Sequence, residues 1–250
     1  TAKAAGFETQ VLYGPSTKRH EDNALNETGL IDFQRPPAAN GIKNKVRRII
    51  NTRTSARGRD AYVVTPCDDI IWPAKNGGRP PVKSYWAAQH LYYHGNRCFS
   101  AYRRETPVRF LEQDGALRPD VMHWTSTLPL YAKSVPNIYT IHDLIPLRLP
   151  HTTLDNKATY KAMCRAIVER ADHIAVVSEA TREDVIRMLG VSEERVTNTY
   201  QAVNLPTRLT SRSQEDVTLE LEGIFNLGWK DYFLHFGAIE PKKNLGRVVE

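Results

Sequence analysis

The stretch that most limits the fold runs from Asn137 to Pro150, Asn-Ile-Tyr-Thr-Ile-His-Asp-Leu-Ile-Pro-Leu-Arg-Leu-Pro. Ile138 to Ile141 is a short apolar, β-branched and aromatic run, the composition of a buried strand, and it stops at His142-Asp143. In an open α/β sheet the carboxyl ends of the strands face the crevice where ligands bind, so polar chemistry is expected at this tip. Pro146 and Pro150 predict an extended loop after it, with no helix starting at once.

The rest of the chain alternates strand and helix. Strands are expected at Thr9 to Tyr13, Ala61 to Thr65, Asp69 to Trp72, Asp120 to Trp124, Ile174 to Val177, Val196 to Val203 and Tyr232 to Phe236. Helical patterns cover Val82 to Phe110, Thr153 to Arg170, Glu179 to Leu189 and Asp216 to Phe225, with another beginning near Asn244. Ser178 is placed to cap the third of these, acids enrich its first turns, and Gly190 ends it. The polar residues between the first strand and Gly41 read as a long surface connection, Lys75 to Pro81 as a turn-rich segment, and Asn204 to Gln214 as an interdomain linker. A short helix-sized gap separates His123 from the His142 strand.

Composition excludes several classes. An apolar share of 41% is enough for a globular core of one to one and a half α/β domains. The three cysteines, Cys67, Cys98 and Cys164, are widely spaced and odd in number, which argues against a disulfide framework or a zinc knuckle and fits a reducing, cytoplasmic compartment. No apolar run reaches membrane-spanning length and no secretory leader is visible. A net charge of +6 favours an anionic partner: a nucleotide diphosphate, nucleic acid or an acidic membrane surface.

Charge is concentrated between Lys43 and Arg59, with no acid until Asp60. Ile42, Val46, Ile49 and Ile50 recur there at helical spacing. Such a basic amphipathic helix either docks on the sheet or contacts anionic headgroups or an anionic acceptor. His90 and His94 share the i, i+4 spacing of a metal pair, yet no glutamate lies between them and no third ligand is near, so a metal is not expected.

Four strings occur in order: Ile-Tyr-Thr-Ile-His142-Asp143-Leu-Ile-Pro-Leu; Ala171-Asp-His-Ile-Ala-Val-Val-Ser178-Glu179 with Thr181-Arg182; Leu-Gly190-Val with Arg195-Val196; and Phe-Leu-His-Phe-Gly237-Ala-Ile-Glu240-Pro-Lys242-Lys243-Asn244. Together they resemble a retaining glycosyltransferase of family 4, with the GT-B fold, over roughly Arg118 to Glu250. The resemblance implies an α/β protein of two Rossmann-like, doubly wound parallel domains: an acceptor-side domain over 1–206, its first strand missing, and over 207–250 a linker and the beginning of the nucleotide-sugar domain. The ends, at Thr1 and inside an expected helix at Glu250, read as those of an internal piece. By that reading the glycine-rich loop and the glutamate pair of the family lie outside it, and the piece alone is inactive.

The same resemblance implies roles. His142 matches the family histidine that touches the donor sugar; Asp143 either orients it or caps the following loop, and without the resemblance a strand-end His-Asp is as readily a structural pair. Lys243 takes the place of the lysine on the donor diphosphate, beside Gly237, and Lys242 is the candidate second cation, since Ala238 stands where many members have arginine. Otherwise Lys242-Lys243 is an exposed basic pair. His123, Ser126, Ser178 and Arg182 are acceptor-side candidates, although Ser178 is first an N-cap.

The implied reaction takes a sugar from a nucleoside diphosphate to a hydroxyl of a glycan or lipid-linked acceptor with retention, in bacterial surface or exopolysaccharide synthesis. No metal or other cofactor is expected, nor is nucleic acid; the place is the cytoplasm or the inner face of the plasma membrane. The alternative is a non-catalytic nucleotide-sugar or partner-binding module of the same fold, favoured by Ala238.

Overall fold

The computed structural model describes residues 6–31, 42–73, 78–112, 117–203, 205, 207–240 and 243–249. Nine strands and nine α-helices are found among them. One sheet is ordered β1 (Val11–Tyr13), β3 (Tyr85–Ala87), β2 (Arg59–Val64), β4 (Thr106–Phe110), β6 (Leu130–Ala132); the other is β5 (Met122–Trp124), β7 (Asn137–Ile141), β8 (His173–Val176), β9 (Val196–Asn198). The second is parallel throughout. In the first, β1 and β3 run together but antiparallel to β2, so this half is a mixed sheet where an all-parallel one was expected.

Both sheets feed one core, from Ala61, Trp86, Val108 and Leu130 on one side to Tyr139, Ile141, Ile174 and Val196 on the other. Strands buried on both faces read as continuous apolar runs, which explains why β7 and β8 were plain in the sequence. The helices α5 (Lys157–Arg170) and α6 (Glu179–Leu189) add Cys164, Ile167, Val168 and Val185 to that core. Gly190 ends α6 at φ +71°, returning its amide to the Ile186 carbonyl at 3.0 Å, as the sequence pattern required.

Several expectations are corrected. The polar stretch before residue 41 contains a helix, α1 (Asn23–Ile31), with Glu27 and Leu30 buried. Val82 to Phe110 is not one long helix but β3, α3 (Leu91–Tyr102) and β4. Its aromatic Tyr85-Trp86 pair suits a strand, and Pro107 removes a helical amide. In α3, Gly95 is needed because a Cβ there would collide with the Leu130 side chain. Asp69 to Trp72 forms no strand; Trp72 instead packs its ring against Tyr13 and Tyr85. The gap between His123 and His142 holds β6, and the strand from Val196 stops at Asn198, before Tyr200 at φ 53°.

Past residue 199 the described side chains are mostly exposed. The helix α8 (Gln214–Phe225) forms, capped by Ser213, which accepts from the Asp216 amide at 3.0 Å. The strand expected at Tyr232 to Phe236 does not, and Phe233 and Phe236 stand in solvent. An apolar run becomes a strand only when a neighbour takes up its ladder hydrogen bonds, and none of the described strands does so. Short helices α7 (Thr207–Thr210) and α9 (Gly246–Val249) flank this region.

Candidate functional site

Because β5, β7 and β8 are parallel, their carboxyl ends bring Thr125-Ser126, His142-Asp143 and Ser178 to one edge of the sheet. His142 is exposed there, and its Nε2 lies 2.8 Å from the Thr125 carbonyl. A carbonyl only accepts, so Nε2 carries a proton; in the neutral ring Nδ1 is left as an acceptor. The backbone is fixed as well. Thr181 donates its hydroxyl to the His142 carbonyl at 3.0 Å and is itself 3.0 Å from the Ser178 hydroxyl. With the Thr181 proton committed to the carbonyl, Ser178 is the donor in the second bond. Ser178 also caps α6, accepting from the Thr181 amide at 3.2 Å. Its N-cap reading therefore holds, and the cap doubles as a brace for His142.

The segment after His142 is not the extended loop that its prolines predicted. Asp143 Oδ1 accepts from the Ile145 amide at 3.0 Å, and a one-turn helix, α4 (Ile145–Arg148), starts directly with Pro146 in its first turn. Proline is tolerated there because a first-turn amide has no intrahelical partner. Arg148 then reaches Asp184 on α6 at 3.1 Å, where Arg187 adds a second contact at 2.7 Å. From α5, the Tyr160 hydroxyl donates to the Asp143 carbonyl at 2.9 Å. Burial, followed by Cys164 and Asp143, raises the pKa of this phenol well above its ordinary value, so it stays a neutral donor. His142 and Asp143 are thus held from three sides.

Below them opens a cleft of about 230 Å³ walled by Thr127, Asp143, Thr153, Asp155 and Tyr160, with Ile145 and Pro146 as its apolar side. Sequence reasoning missed Thr125, Thr127, Asp155, Tyr160 and Thr181. Only Thr181 carried a local signal, as the residue three past an N-cap serine; the others meet His142-Asp143 through tertiary packing.

Of the remaining candidates Ser126 shares the edge with His142, and the others fall elsewhere. His123 lies within β5, its Nε2 2.8 Å from the Thr140 hydroxyl on the next strand, and burial lowers its pKa. Ser126, half-buried, follows the Thr125 carbonyl that holds His142. Arg182 is committed to structure, to the Val196 carbonyl at 3.3 Å and Glu193 at 3.4 Å. Gly237, at φ +109°, and Lys243, whose amide meets the Glu240 carbonyl at 2.9 Å, belong to the exposed region past residue 199. Lys242 lies outside the described residues. Among the described residues no strand tip leads into Lys243, contrary to expectation, because Tyr232 to Phe236 is unpaired.

Residues 39–205 match the Glycosyltransferase Family 4 family. Over 124 residues the chain is 24% identical to the O-antigen chain mannosyltransferase RfbU of Salmonella typhimurium, covering 50% of this chain and 30% of that protein. Over 176 residues it is 25% identical to the serotype-specific mannosyltransferase WbdA of Escherichia coli, covering 65% of this chain and 21% of that one. The aligned part thus spans less than a third of the length of either relative. The family match extends from before α2 (Ile42–Ser55) past the β9 strand and includes the whole braced His142-Asp143 tip, and the chain belongs to glycosyltransferase family 4.

Proposed function

We propose that this chain is the acceptor-side part, over 1–206, of a bacterial enzyme that transfers a hexose from a nucleoside diphosphate sugar to a glycan hydroxyl in surface polysaccharide synthesis, with 207–250 leading into the donor domain. The observation that carries the reading is the orientation of His142. Its Nε2 is occupied by the Thr125 carbonyl and Nδ1 is presented as an acceptor at a strand end, beside a hydroxyl- and carboxylate-lined cleft. Family membership and the mannosyltransferase relatives support the same chemistry.

In this reading His142 Nδ1 accepts from a hydroxyl of the donor sugar and fixes it over the cleft. As the bond to the diphosphate breaks, positive charge grows on the sugar ring and negative charge on the leaving group. Lys243, with backbone amides near Gly237, neutralises the diphosphate, and Lys242 is a candidate second cation. No metal is needed, and the product keeps the donor's anomeric configuration. The test uses the full-length gene product with nucleoside diphosphate hexoses and an oligosaccharide acceptor, reading the product linkage by NMR. Transfer with retention, reduced at least a hundredfold by His142→Ala, is expected. Transfer with inversion, or full activity of that variant, overturns the reading.

A second contact, with an anionic membrane surface through α2, is favoured by one observation. Val46, Ile49 and Ile50 are about half exposed, at 49%, 51% and 53%, where docking on the sheet would have buried them. Among the described residues no helix is long and apolar enough to cross a membrane, so contact would be peripheral.

A further inference from the structure

The cleft beside His142 has a chemistry more specific than its position. Two carboxylates, Asp143 and Asp155, face it together with the hydroxyl-bearing Thr127, Thr153 and Tyr160, and its described lining contains no lysine or arginine. Asp143 spends Oδ1 on the Ile145 amide. The Asp155 carboxylate is exposed and has no hydrogen-bond or ion-pair partner among the described residues. Lys157, the nearest cation in sequence, is taken up by the Thr153 carbonyl, the Thr153 hydroxyl at 2.9 Å and the Asp155 carbonyl at 2.8 Å. It supports the turn that presents Asp155 and forms no ion pair with that carboxylate.

A carboxylate has two acceptor oxygens and no donor, and the spacing of those oxygens suits two neighbouring hydroxyls. Thr127 donates or accepts as needed, Thr153, which accepts from Lys157, keeps its proton to donate, and Tyr160, whose proton goes to the Asp143 carbonyl, offers its oxygen as an acceptor; Ile145 and Pro146 offer an apolar wall for the C–H face of a ring. By contrast, two carboxylates without a facing cation repel phosphate, sulfate and uronate groups. A volume of about 230 Å³ suits one ring.

Resting on the transferase reading, we propose that this cleft is the acceptor subsite for a single uncharged pyranose unit, with Asp155 as its specificity-determining residue, gripping two adjacent hydroxyls. The acceptor therefore presents a neutral sugar end to His142. A phosphorylated lipid or a phosphosugar is excluded from the cleft itself, whatever carries the glycan farther away.

The test measures binding, and so stands apart from transfer. The isotope-labelled full-length gene product is titrated with methyl α-D-mannopyranoside and, in parallel, with mannose 6-phosphate, following amide shifts of 125–127, 142–145 and 153–160. The expected result is saturable shifts with the neutral pyranoside in the millimolar range and at least tenfold weaker binding of the phosphate. In Asp155→Asn, an exposed and fold-neutral change, pyranoside binding falls about tenfold and discrimination against the phosphate shrinks. Binding of mannose 6-phosphate as tight as that of the pyranoside, shifts confined to other residues, or an Asp155→Asn variant that binds like the parent overturns the proposal. If the full-length enzyme also transfers to a bare polyprenyl phosphate, the subsite assignment fails while the transferase reading stands.

Discussion

The indole Nε1 of Trp124 donates to Oδ1 of Asn137 at 2.9 Å in a fully buried setting, and that bond joins the last residue of β5 to the first of β7. The same Oδ1 accepts from the Ala132 amide at 2.7 Å, while Nδ2 donates to the Ala132 and Val135 carbonyls at 2.9 and 2.8 Å. Ala132 belongs to β6 of the other sheet, so one amide side chain stitches the two sheets together beneath the site. All of its hydrogen-bonding capacity is used, which is the condition for a buried polar group to stabilise.

Asn137→Ala should therefore destabilise far more than its size suggests. It leaves a buried indole N–H and strand-end backbone groups without partners, at about 1–3 kcal/mol each, so a loss of about 3–4 kcal/mol is expected. Urea unfolding followed by tryptophan fluorescence would read this as a lower midpoint at unchanged slope. A loss below 1 kcal/mol would mean that water replaces the amide and that the two sheets are not coupled through it.

Glu27 makes a second prediction. It is fully buried, accepts from Trp72 Nε1 at 2.8 Å and from the Cys67 amide, and pairs with Arg79 at 3.1 Å. This carboxylate sits behind the aromatic group of Tyr13, Trp72 and Tyr85. Removing Glu27 leaves the Trp72 indole N–H and the Cys67 amide without their acceptor, at about 1–3 kcal/mol each, while Arg79, 28% exposed, keeps Asp68 and the Cys67 and Ile70 carbonyls. Glu27→Ala should thus lose more stability than Arg79→Met combined with Glu27→Gln, in which an acceptor oxygen remains. A thermal-melt comparison in which the double variant is the weaker one would reverse the argument.

Acid should weaken the fold through His94. This ring is buried on α3, its Nδ1 has no hydrogen-bond partner, and burial with Arg59, His90 and Arg97 nearby lowers its pKa from 6.5 to about 4. The unfolded chain then takes up the proton first as pH falls. His94 costs nothing above about 6.5, stability declines between 6.5 and 4, and the loss is complete below 4. Its full size is on the order of 3 kcal/mol. Unfolding midpoints measured from pH 7.5 to 4.5 should fall, and His94→Gln should flatten that slope; equal slopes for the two proteins would remove His94 as the cause.

Much of this was legible in the sequence, for a physical reason. The strand of Ile138 to Ile141, the Ser178 cap and the Gly190 stop are signals whose cause is local: side-chain pattern, an N-cap oxygen, a positive φ. Where the cause is tertiary, the sequence misled. Val82 to Phe110 reads as one helical region, yet Tyr85-Trp86 and Thr106 to Phe110 find strand partners and leave the helix. Tyr232 to Phe236 has strand composition and finds none. In the site, His142 and Asp143 were readable from motif, but the residues that hold them lie 17 and 39 positions away, at Thr125, Tyr160 and Thr181.

The surface of α2 gives the last prediction. This helix packs against α3, and it buries Thr52 and Ser55. Arg59, just beyond it, bonds back to Ser55 Oγ at 2.8 Å and to the Asn51 carbonyl at 3.3 Å. Its polar side is thus the anchored one. Val46, Ile49 and Ile50, at i, i+3 and i+4, are left exposed on a helix whose sequence contains Lys43, Lys45, Arg47, Arg48 and Arg53 and no acid. An apolar stripe with a basic complement suits the headgroup boundary of an anionic bilayer, each effect adding to the other. The protein should sediment with vesicles containing a third phosphatidylglycerol, bind at least tenfold less to pure phosphatidylcholine, and lose binding as salt rises. Ile49→Glu with Ile50→Glu should abolish sedimentation while leaving the melting temperature nearly unchanged, since neither side chain is in the core. Binding indifferent to lipid charge, or unaffected by that double change, would leave α2 as an ordinary solvated helix.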